Sequence, residues 1–241
     1  MSIPLKRYKK DFDYSYANGV FSSIELLGSR PEQVMKIIIS SQSEKNEGVK
    51  KIRKMCSGLD IPFEVSDKTI NRVSLPGNHL ALAVFKKYRS ALEKSKNHVV
   101  LVNPSDMGNI GTIARTMTGF GIKNLALIKP AVDVFDPKAV RASMGSIFSL
   151  SVEYFRSFNE YRESHQNKPY FFMSKKSMPV ESAAFTGPFA LVFGNESSGL
   201  PEEICKYGDR VTISHNDSID SLNLSVAVGI ALYECSRGSR I

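Results

Sequence analysis

The sequence lacks the features that mark membrane-spanning and secreted proteins. None of its apolar runs reaches the roughly 18 residues that a membrane-spanning helix requires. The basic segment from Met1 to Lys10 is followed by no apolar stretch and no small-residue cleavage site, so we expect no signal peptide. Neither a membrane protein nor a secreted protein is therefore expected.

Cysteine and histidine are also scarce in this chain of 241 residues. Its three cysteines are far apart and odd in number: Cys56, Cys205 and Cys235. This pattern argues against a disulfide framework and fits the reducing cytosol, so we expect a cytoplasmic protein. The histidines share no ligand spacing with one another or with the cysteines, and we expect no metal site.

The excess positive charge lies in the first two fifths of the chain. Residues 1–97 contain 18 Lys and Arg residues and 10 Asp and Glu residues, whereas residues 98–241 contain 14 of each kind. A basic module beside a neutral one predicts that the first part binds a polyanion. Because the asymmetry is so complete, we favour nucleic acid over a role in solubility alone. The charge by itself does not separate RNA from DNA or from a membrane surface.

The first 90 residues have the pattern of a small alternating α/β domain. Residues 5–10 are expected to form a mobile basic arm. Helical spacing is found in residues 19–27 and 44–56, and short strand patterns in residues 34–39, 62–65 and 80–85. The polar residues 86–97 are the best candidate for a linker.

Beyond the linker, short continuous apolar runs alternate with segments of helix length. Runs that are apolar on both faces are typical of a parallel sheet covered by helices. Such a sheet places its ligands at the carboxyl ends of its strands. These predicted strands are residues 99–102, 125–128, 170–172, 189–193 and 211–213.

The first polar segment at a strand end follows Val102. Asn109 is expected to cap a helix that runs to about Gly119. Arg115 lies six residues later, close to two turns, so we expect a small angular offset between Asn109 and Arg115. The alternative is an ordinary capped helix with a solvated arginine.

The second segment, Gly194-Asn-Glu-Ser-Ser-Gly199, follows the strand predicted at residues 189–193. Its closely spaced backbone N–H groups and the carboxylate of Glu196 can surround a small polar ligand. A tight surface turn is the alternative.

The third segment follows the strand predicted at residues 211–213. It ends at Ser221, which we expect to cap a helix that is apolar nearly all round and therefore buried. Ser221 and Asn223 are predicted in the first turn, where backbone N–H groups point at a ligand. Capping alone would account for Ser221 more easily than for Asn223, because a polar side chain in a buried helix needs a partner.

Together, these segments resemble the three motifs of the SpoU (TrmH) family of RNA ribose methyltransferases. The matching elements are Asn109-x5-Arg115, the Phe-Gly-x-Glu-x-x-Gly-Leu of residues 193–200 and the Ser-Leu-Asn-x-Ser-Val-Ala of residues 221–227. Residues 141–145 resemble a further stretch of that family. Residues 19–34 are similar, more loosely, to the ribosomal-protein-like substrate-binding domain that many members carry.

The resemblance implies a two-domain α/β protein. A C-terminal trefoil-knotted parallel-sheet SPOUT domain is expected at residues 98–241. It would follow a linker at about residues 86–97 and a small α/β ribosomal-protein-like RNA-binding domain at residues 1–90. The expected cofactor is S-adenosylmethionine, the expected substrate is RNA, with ribosomal RNA favoured over transfer RNA, and the expected assembly is a homodimer.

The family's site residues carry over by position. The expected cofactor-binding residues are Gly194, Asn195, Gly199, Ile213 and Leu222. The expected catalytic residues are Asn109, Arg115, Glu196, Ser221 and Asn223.

The resemblance makes Arg115 the central catalytic group. A ribose hydroxyl must lose its proton as its oxygen attacks the sulfonium methyl group. A guanidinium stays protonated, so we expect Arg115 to position the ribose and stabilise the developing alkoxide, with Glu196 holding the guanidinium. Whether Arg115 also accepts the proton is left open.

The third motif departs from the family pattern, which usually begins Ile-Pro-Met. Here the residues are Ile213, Ser214 and His215, and the loss of the proline frees a backbone N–H in the loop expected to enclose the cofactor. His215 is a candidate base, although a histidine in a loop is more often simply solvated.

Three other functions stay open. One is transfer RNA methylation, and the second is a non-catalytic RNA-binding or ribosome-assembly role on the same fold. The five polar residues of the motifs argue against the second, because binding alone would not require all of them. The third is a nucleotide-dependent oxidoreductase, against which the lack of a G-x-G-x-x-G sequence argues.

Overall fold

The structure, a computed structural model, describes residues 5–77, 79–173, 177–216 and 218–238. Its contacts divide the chain into two compact units. The N-terminal unit comprises Met1–Tyr88 and Asp133–Ser149, and the C-terminal unit comprises Arg89–Val132 and Leu150–Ile241. The first division lies inside the predicted linker, whereas the return of Asp133–Ser149 to the N-terminal unit was not predicted. Across the described residues, no helix has the length and apolarity that crossing a membrane requires.

The N-terminal unit has a mixed sheet with strands in the order β1-β4-β2-β3. The β2–β3 pair is parallel and the other pairs are antiparallel. The strands are β1 (Tyr14–Asn18), β2 (Val34–Ile39), β3 (Phe63–Val65) and β4 (Ala81–Lys86). With numbering in chain order through both units, its helices are α1 (Val20–Ser29), α2 (Glu47–Leu59), α3 (Asp67–Val73) and α5 (Pro137–Ala142).

The sequence patterns found most of this unit. The predictions for β2, β3, β4, α1 and α2 are confirmed, whereas β1, α3 and α5 were missed. Helix α3 has only seven residues, with Ile70 and Val73 buried, which is too short for a periodic signal.

The predicted mobile arm is wrong for residues 5–10. The side chains of Leu5 and Tyr8 pack against the core formed by β1, β2, α3 and β4. The first four residues of the predicted basic N-terminus lie outside the described part of the chain.

Residues 133–149 contribute to the core of the N-terminal unit. The rings of Phe135 and Phe148 lie edge-on to the ring of Phe85, with centroids 5.5 and 5.1 Å away. Lys87 forms an ion pair of 2.6 Å with Asp133. This segment is therefore held by both apolar burial and charge.

The C-terminal unit has a parallel sheet in the order β7-β6-β5-β10-β8-β11-β9. All its pairs are parallel, which confirms the prediction from the apolar runs. The strands are β5 (His98–Val102), β6 (Asn124–Ile128), β7 (Ser151–Phe155), β8 (Lys168–Phe172), β9 (Met178–Pro179), β10 (Phe189–Phe193) and β11 (Asp209–Thr212). The helices are α4 (Met107–Gly119), α6 (Phe158–Ser164) and α7 (Leu224–Gly238).

Strand β7 was missed because it lies at the sheet edge. Its Glu153 and Tyr154 are only partly buried or exposed, so the strand has no continuous apolar run. The three polar segments follow β5, β10 and β11. Since all these strands are parallel, the segments leave the sheet at the same edge.

Candidate active site

The carboxylate of Glu196 joins the loop after β10 to the segment between β5 and α4. Its Oε2 accepts hydrogen bonds from Ser105 Oγ at 2.8 Å and Ser105 N at 3.3 Å. Its Oε1 accepts from Asp106 N at 3.3 Å and Asn109 Nδ2 at 3.2 Å. Two of the predicted motifs therefore meet directly.

The third motif joins through Asn109. The Asn109 Oδ1 accepts a hydrogen bond of 3.1 Å from Asn223 Nδ2, and the Asn223 Oδ1 accepts one of 2.9 Å from Ser225 N. A carboxylate only accepts hydrogen bonds and a backbone N–H only donates them. The Glu196 carboxylate at one end of this series and Ser225 N at the other therefore determine the orientation of the Asn109 and Asn223 amides. The structure thus brings Asn109, Glu196 and Asn223 into one hydrogen-bonded line.

Asn109 does not cap α4, contrary to the sequence prediction. The helix begins at Met107, and Asp106 caps it by accepting a hydrogen bond of 2.6 Å from Asn109 N. The Asn109 side chain is therefore free to join Glu196 to Asn223.

The helix of the third motif starts later than predicted. Helix α7 begins at Leu224, and Asn223 holds its N-terminus by accepting from Ser225 N and, through its backbone carbonyl, from Ala227 N at 2.9 Å. Asn223 thus performs the capping that was predicted for Ser221, which is exposed in the preceding loop.

The loop after β10 is closed on itself by backbone contacts. Asn195 and Gly199 exchange backbone hydrogen bonds of 3.2 and 3.0 Å, and Gly199 has a φ of 68°. A Cβ at Gly194 would lie 2.2 Å from the carbonyl carbon of Gly199, so only glycine fits there. The Asn195 Oδ1 accepts from the backbone N–H groups of Ser197 and Ser198. The Asn195 side chain therefore shapes the loop.

A cavity of about 640 Å³ opens beside these loops. The stacked rings of Phe172 and Phe193, with centroids 4.4 Å apart, form part of its wall and were not predicted. Eight of the ten predicted site residues line the cavity: Gly194, Asn195, Glu196, Gly199, Ile213, Ser221, Leu222 and Asn223.

Arg115 is separated from the other predicted catalytic residues. It is exposed on α4, does not line the cavity, and has no ion pair or side-chain hydrogen bond to any described residue. Six residues turn a helix by about 240°, so the expectation of a small offset from Asn109 was wrong. Within the single chain, the Glu196 carboxylate does not hold this guanidinium, because it accepts from residues 105–109 and from Asn195.

Glu196 is an ionised acceptor at neutral pH. Partial burial opposes its ionisation, but hydrogen bonds from its own backbone N–H, from Ser105 and from Asn109 hold its pKa below the ordinary value. A carboxylate in this state does not supply a proton and has its lone pairs largely occupied.

Residues 213–215, which differ from the family's usual Ile-Pro-Met, place a histidine in the cavity wall. His215 is half-buried, and its Nδ1 donates to the carbonyl of Ile213 at 2.8 Å. Asp220 also lines the cavity and was not predicted.

The described part of the chain contains three buried free thiols and no cluster of metal-ligand side chains. The three cysteines are free and buried, and burial raises the pKa of Cys235 to about 12, so its thiolate does not form at neutral pH. No group of three or more His, Cys, Asp or Glu side chains in the described ranges has the spacing to hold a metal ion.

The motifs correspond to a known family. The SpoU rRNA Methylase family model matches residues 96–233, more than half of the chain. The chain therefore belongs to the SpoU rRNA methylase family, which confirms the resemblance seen in the three motifs.

Several curated relatives match more than half of the chain. The 23S rRNA (guanosine-2'-O-)-methyltransferase RlmB of Acinetobacter baylyi is 25% identical, and the match covers 92% of this chain and 96% of the relative. An uncharacterised tRNA/rRNA methyltransferase of Synechocystis is 28% identical over 72% of this chain and 65% of its own length, slightly under two thirds. A putative tRNA (cytidine(34)-2'-O)-methyltransferase of Listeria innocua is 31% identical over 58% of this chain and 87% of its own.

Solved structures share the fold. An AdoMet-bound rRNA methyltransferase from Sinorhizobium meliloti has a TM-score of 0.79 at 24% identity, and the match covers 94% of this chain and 88% of that one. The SpoU methyltransferase AviRb from Streptomyces viridochromogenes, in complex with AdoMet, has a TM-score of 0.80 at 23% identity, with 94% and 90% covered. At these identities the likeness concerns the fold alone.

Proposed function

We infer that this protein transfers the methyl group of S-adenosylmethionine to a ribose 2′-hydroxyl of RNA. The observation that carries this inference is the hydrogen-bonded line from Asn223 through Asn109 to Glu196. It joins all three family motifs beside one cavity.

The cavity suits S-adenosylmethionine. Ile213, Leu222 and the stacked Phe172–Phe193 pair supply apolar surface, and the loop from Gly194 to Gly199 supplies closely spaced backbone groups. These residues would hold the cofactor, as expected for Gly194, Asn195, Gly199, Ile213 and Leu222. The cofactor supplies an electrophilic methyl group on positively charged sulfur.

Around that cavity, Asn109, Glu196 and Asn223 orient the reaction and do not act as bases. As the bond from the ribose oxygen to the methyl carbon forms and the bond from sulfur to that carbon breaks, the hydroxyl proton passes to solvent. The Glu196 carboxylate fixes Asn109, and Asn109 fixes Asn223 at the N-terminus of α7. The positive end of the α7 dipole and the Ser221 hydroxyl stabilise negative charge that develops on a nearby ribose oxygen.

We propose that Arg115 acts in a homodimer, at the cavity of the partner subunit. Three observations support this: Arg115 is unpaired among the described residues, α4 packs on α7, and α7 exposes Val226 and Tyr233 with 48% and 54% of their surface accessible. An apolar helix face beside an unpaired arginine is suited to an interface between two copies. The arginine would position the ribose and stabilise its alkoxide there.

The substrate is RNA, and we propose ribosomal RNA ahead of transfer RNA. The first 97 residues carry all the excess positive charge, which fits a separate substrate-binding domain. The relatives named above include enzymes of both substrate classes, so transfer RNA is the second candidate.

Further features of the resemblance are proposals as well. We propose that the C-terminal unit is trefoil-knotted, and that the first part of the N-terminal unit, up to about residue 90, is a ribosomal-protein-like domain. We also propose that the protein works in the cytoplasm. The order β5-β10-β8, in which a later strand lies between two earlier ones, supports the knot. The free, buried cysteines support a reducing compartment.

Transfer of labelled methyl groups tests the proposed function. The purified protein is incubated with methyl-labelled S-adenosylmethionine and, separately, unmodified ribosomal RNA and transfer RNA. We expect label in ribosomal RNA as a 2′-O-methyl nucleoside and its loss in Arg115→Ala. Arg156→Ala, which removes another exposed arginine of the same unit, should stay active.

The other outcomes of this assay are equally informative. Label in transfer RNA alone would make transfer RNA the substrate. A protein that binds S-adenosylhomocysteine but labels neither RNA would require a narrower substrate, such as an assembly intermediate. A protein that neither labels RNA nor binds S-adenosylhomocysteine would support a non-catalytic RNA-binding role.

A further inference from the structure

A second cavity, of about 520 Å³, lies within the N-terminal unit. Its wall is formed by three separate segments, residues 7–8, 70–77 and 136–138. It is thus made by the N-terminal segment, by α3 with the loop that follows it, and by the start of α5. Its volume is in the range of small-ligand pockets.

The cavity wall has cations without carboxylate partners. The Nε of Arg7 donates to the carbonyl of Arg72 at 3.3 Å, which orients the guanidinium and leaves its terminal amino groups unpaired among the described residues. The Lys138 ammonium also has no ion pair or hydrogen bond within the described ranges. The Asp136 carboxylate also lines the wall: its Oδ1 accepts from Lys138 N at 2.8 Å to cap α5, and the charges of Arg7 and Lys138 together outnumber its negative charge.

A buried hydroxyl in the same wall has no partner. The Oγ of Ser74 is inaccessible to solvent and forms no hydrogen bond in the described structure. A buried polar atom without a partner costs free energy, and an incoming acceptor would remove that cost.

The loop beside Ser74 is held in place by side chains outside the cavity. Arg141 Nη1 donates to the carbonyl of Pro76 at 3.1 Å, and His79 Nε2 donates to the carbonyl of Leu75 at 2.9 Å. The wall is therefore ordered before any ligand arrives, which lowers the cost of binding.

We propose that this cavity binds a phosphate group of the substrate RNA together with its nucleotide. Arg7 and Lys138 pair with the phosphate oxygens, and the Ser74 side chain turns into the cavity so that its hydroxyl donates to one of them. The inference rests on the proposed function only in taking RNA as the ligand. It assigns part of the positive charge of the N-terminal unit to a defined site.

Equilibrium binding of full-length protein to fluorescent single-stranded RNA, over a range of salt concentrations, tests this site. The one phosphate neutralised here contributes about 0.7 to the slope of log K against log salt, so the double variant Arg7→Gln/Lys138→Gln should weaken binding about fivefold at about 0.1 M salt and lower the slope by about 0.7. Arg7→Gln and Lys138→Gln as single variants should each show part of both effects. Lys9→Gln removes the same charge from an exposed residue that does not line the cavity, and its affinity should stay near that of the wild type.

Ser74→Ala distinguishes RNA binding in this cavity from nonspecific attraction of RNA to the basic surface. It should weaken RNA binding about threefold or more without changing the salt slope, because the hydroxyl is uncharged. Its melting temperature should not fall, since the hydroxyl has no partner to lose.

The proposal is overturned if the Arg7 and Lys138 variants behave like Lys9→Gln, or if Ser74→Ala binds RNA as the wild type does. Competition with a nucleoside monophosphate and with inorganic phosphate distinguishes the source of the phosphate. Displacement of RNA by the free nucleotide at equal concentration would assign the cavity to a small molecule and overturn the RNA assignment.

Failure of this proposal is distinct from failure of the proposed function. If the wild type methylates RNA while the cavity variants bind it normally, only the cavity assignment falls. If the wild type neither methylates RNA nor binds S-adenosylhomocysteine, the proposed function falls, and the RNA-binding series still decides the cavity.

Discussion

At the residue scale, the Glu196 carboxylate accepts hydrogen bonds from the first motif segment and fixes Asn109, which in turn joins the third segment. Glu196→Gln would keep its shape but turn an amide toward the donors of Ser105, Asp106 and Asn109. Hydrogen bonds to a charged group contribute about 1.5–3 kcal/mol, so we expect methyl transfer to fall roughly ten- to hundredfold. Steady-state kcat/KM measures this effect. Glu203→Gln, at an exposed position in the same unit, should leave the rate unchanged.

The same substitution predicts a pH dependence of stability. The pKa of Glu196 is lowered in the folded protein, so its ionised form contributes stability above its unfolded pKa and loses that contribution as the pH falls through its folded pKa. The difference in melting temperature between wild type and Glu196→Gln should be full near neutral pH and should disappear in acid. Thermal unfolding from about pH 7 to about pH 3 measures it. A difference that persists at the lowest pH would contradict a charge effect.

Gly194 is constrained by its contact with Gly199. The Cβ of Gly194→Ala would lie 2.2 Å from the Gly199 carbonyl carbon, between backbone atoms that have no side-chain freedom. Overpacking costs about 1–3 kcal/mol, so S-adenosylhomocysteine should bind roughly tenfold or more weakly in calorimetry. In α1, Gly28→Ala places its Cβ where nothing lies within 4 Å. That control should keep its affinity and gain about 0.5–1 kcal/mol of stability.

At the element scale, helices α4 and α7 differ from the sequence predictions in which of their residues are buried and which contact the site. The prediction of a helix buried nearly all round is wrong for α7 in the single chain. Leu224, Val228 and Ala231 are buried, whereas Val226 and Tyr233 are exposed. Helix α4, which packs on α7, contains both Asn109, which takes part in the hydrogen-bonded line, and Arg115, which does not.

Mixing two inactive variants tests whether the two helices serve different active sites. Arg115→Ala and Glu196→Ala are expected to be inactive as separate proteins. If Arg115 acts at the partner's cavity, each mixed dimer has one intact site, so co-expressed subunits should regain about a quarter of the wild-type activity. Methyl transfer by the purified mixture measures this. No recovery in a proven mixed dimer would place Arg115 and Glu196 in the same subunit's site.

At the scale of the whole molecule, the segment Asp133–Ser149 prevents a simple cut between the units. A fragment that starts at Arg89 would keep this segment but lose Phe85, against which Phe135 and Phe148 pack. Each exposed aromatic ring forfeits about 1.5–3 kcal/mol of burial and adds to an apolar patch. We expect the fragment to be poorly soluble, as measured by soluble yield and binding of a hydrophobic dye.

A second fragment provides the matched control. Replacing residues 133–149 by a short Gly/Ser linker removes the exposed rings and should restore solubility. If the unmodified fragment is as soluble as the full chain, the segment does not depend on the N-terminal unit.

The sequence predicted the elements whose signal is local. Strand β2 and the central parallel strands were found because their apolar runs are continuous, and the motif loops were placed at strand ends because parallel strands end at one edge. Strand β7 and helix α3 escaped because one is half-exposed and the other is short. The N-terminus of α4 was assigned to Asn109 because Asp106, three residues earlier, has equal capping ability.

The fold class of the C-terminal unit, the uneven charge and the residue types of the site can be inferred from periodicity, composition and spacing along the chain. Which side chains meet depends on the tertiary structure. The Glu196–Asn109 and Asn223–Asn109 hydrogen bonds join residues 87 and 114 positions apart, and such contacts depend on strand order and loop path. The turn of a single helix, in contrast, was enough to separate Arg115 from Asn109, because six residues do not complete two turns.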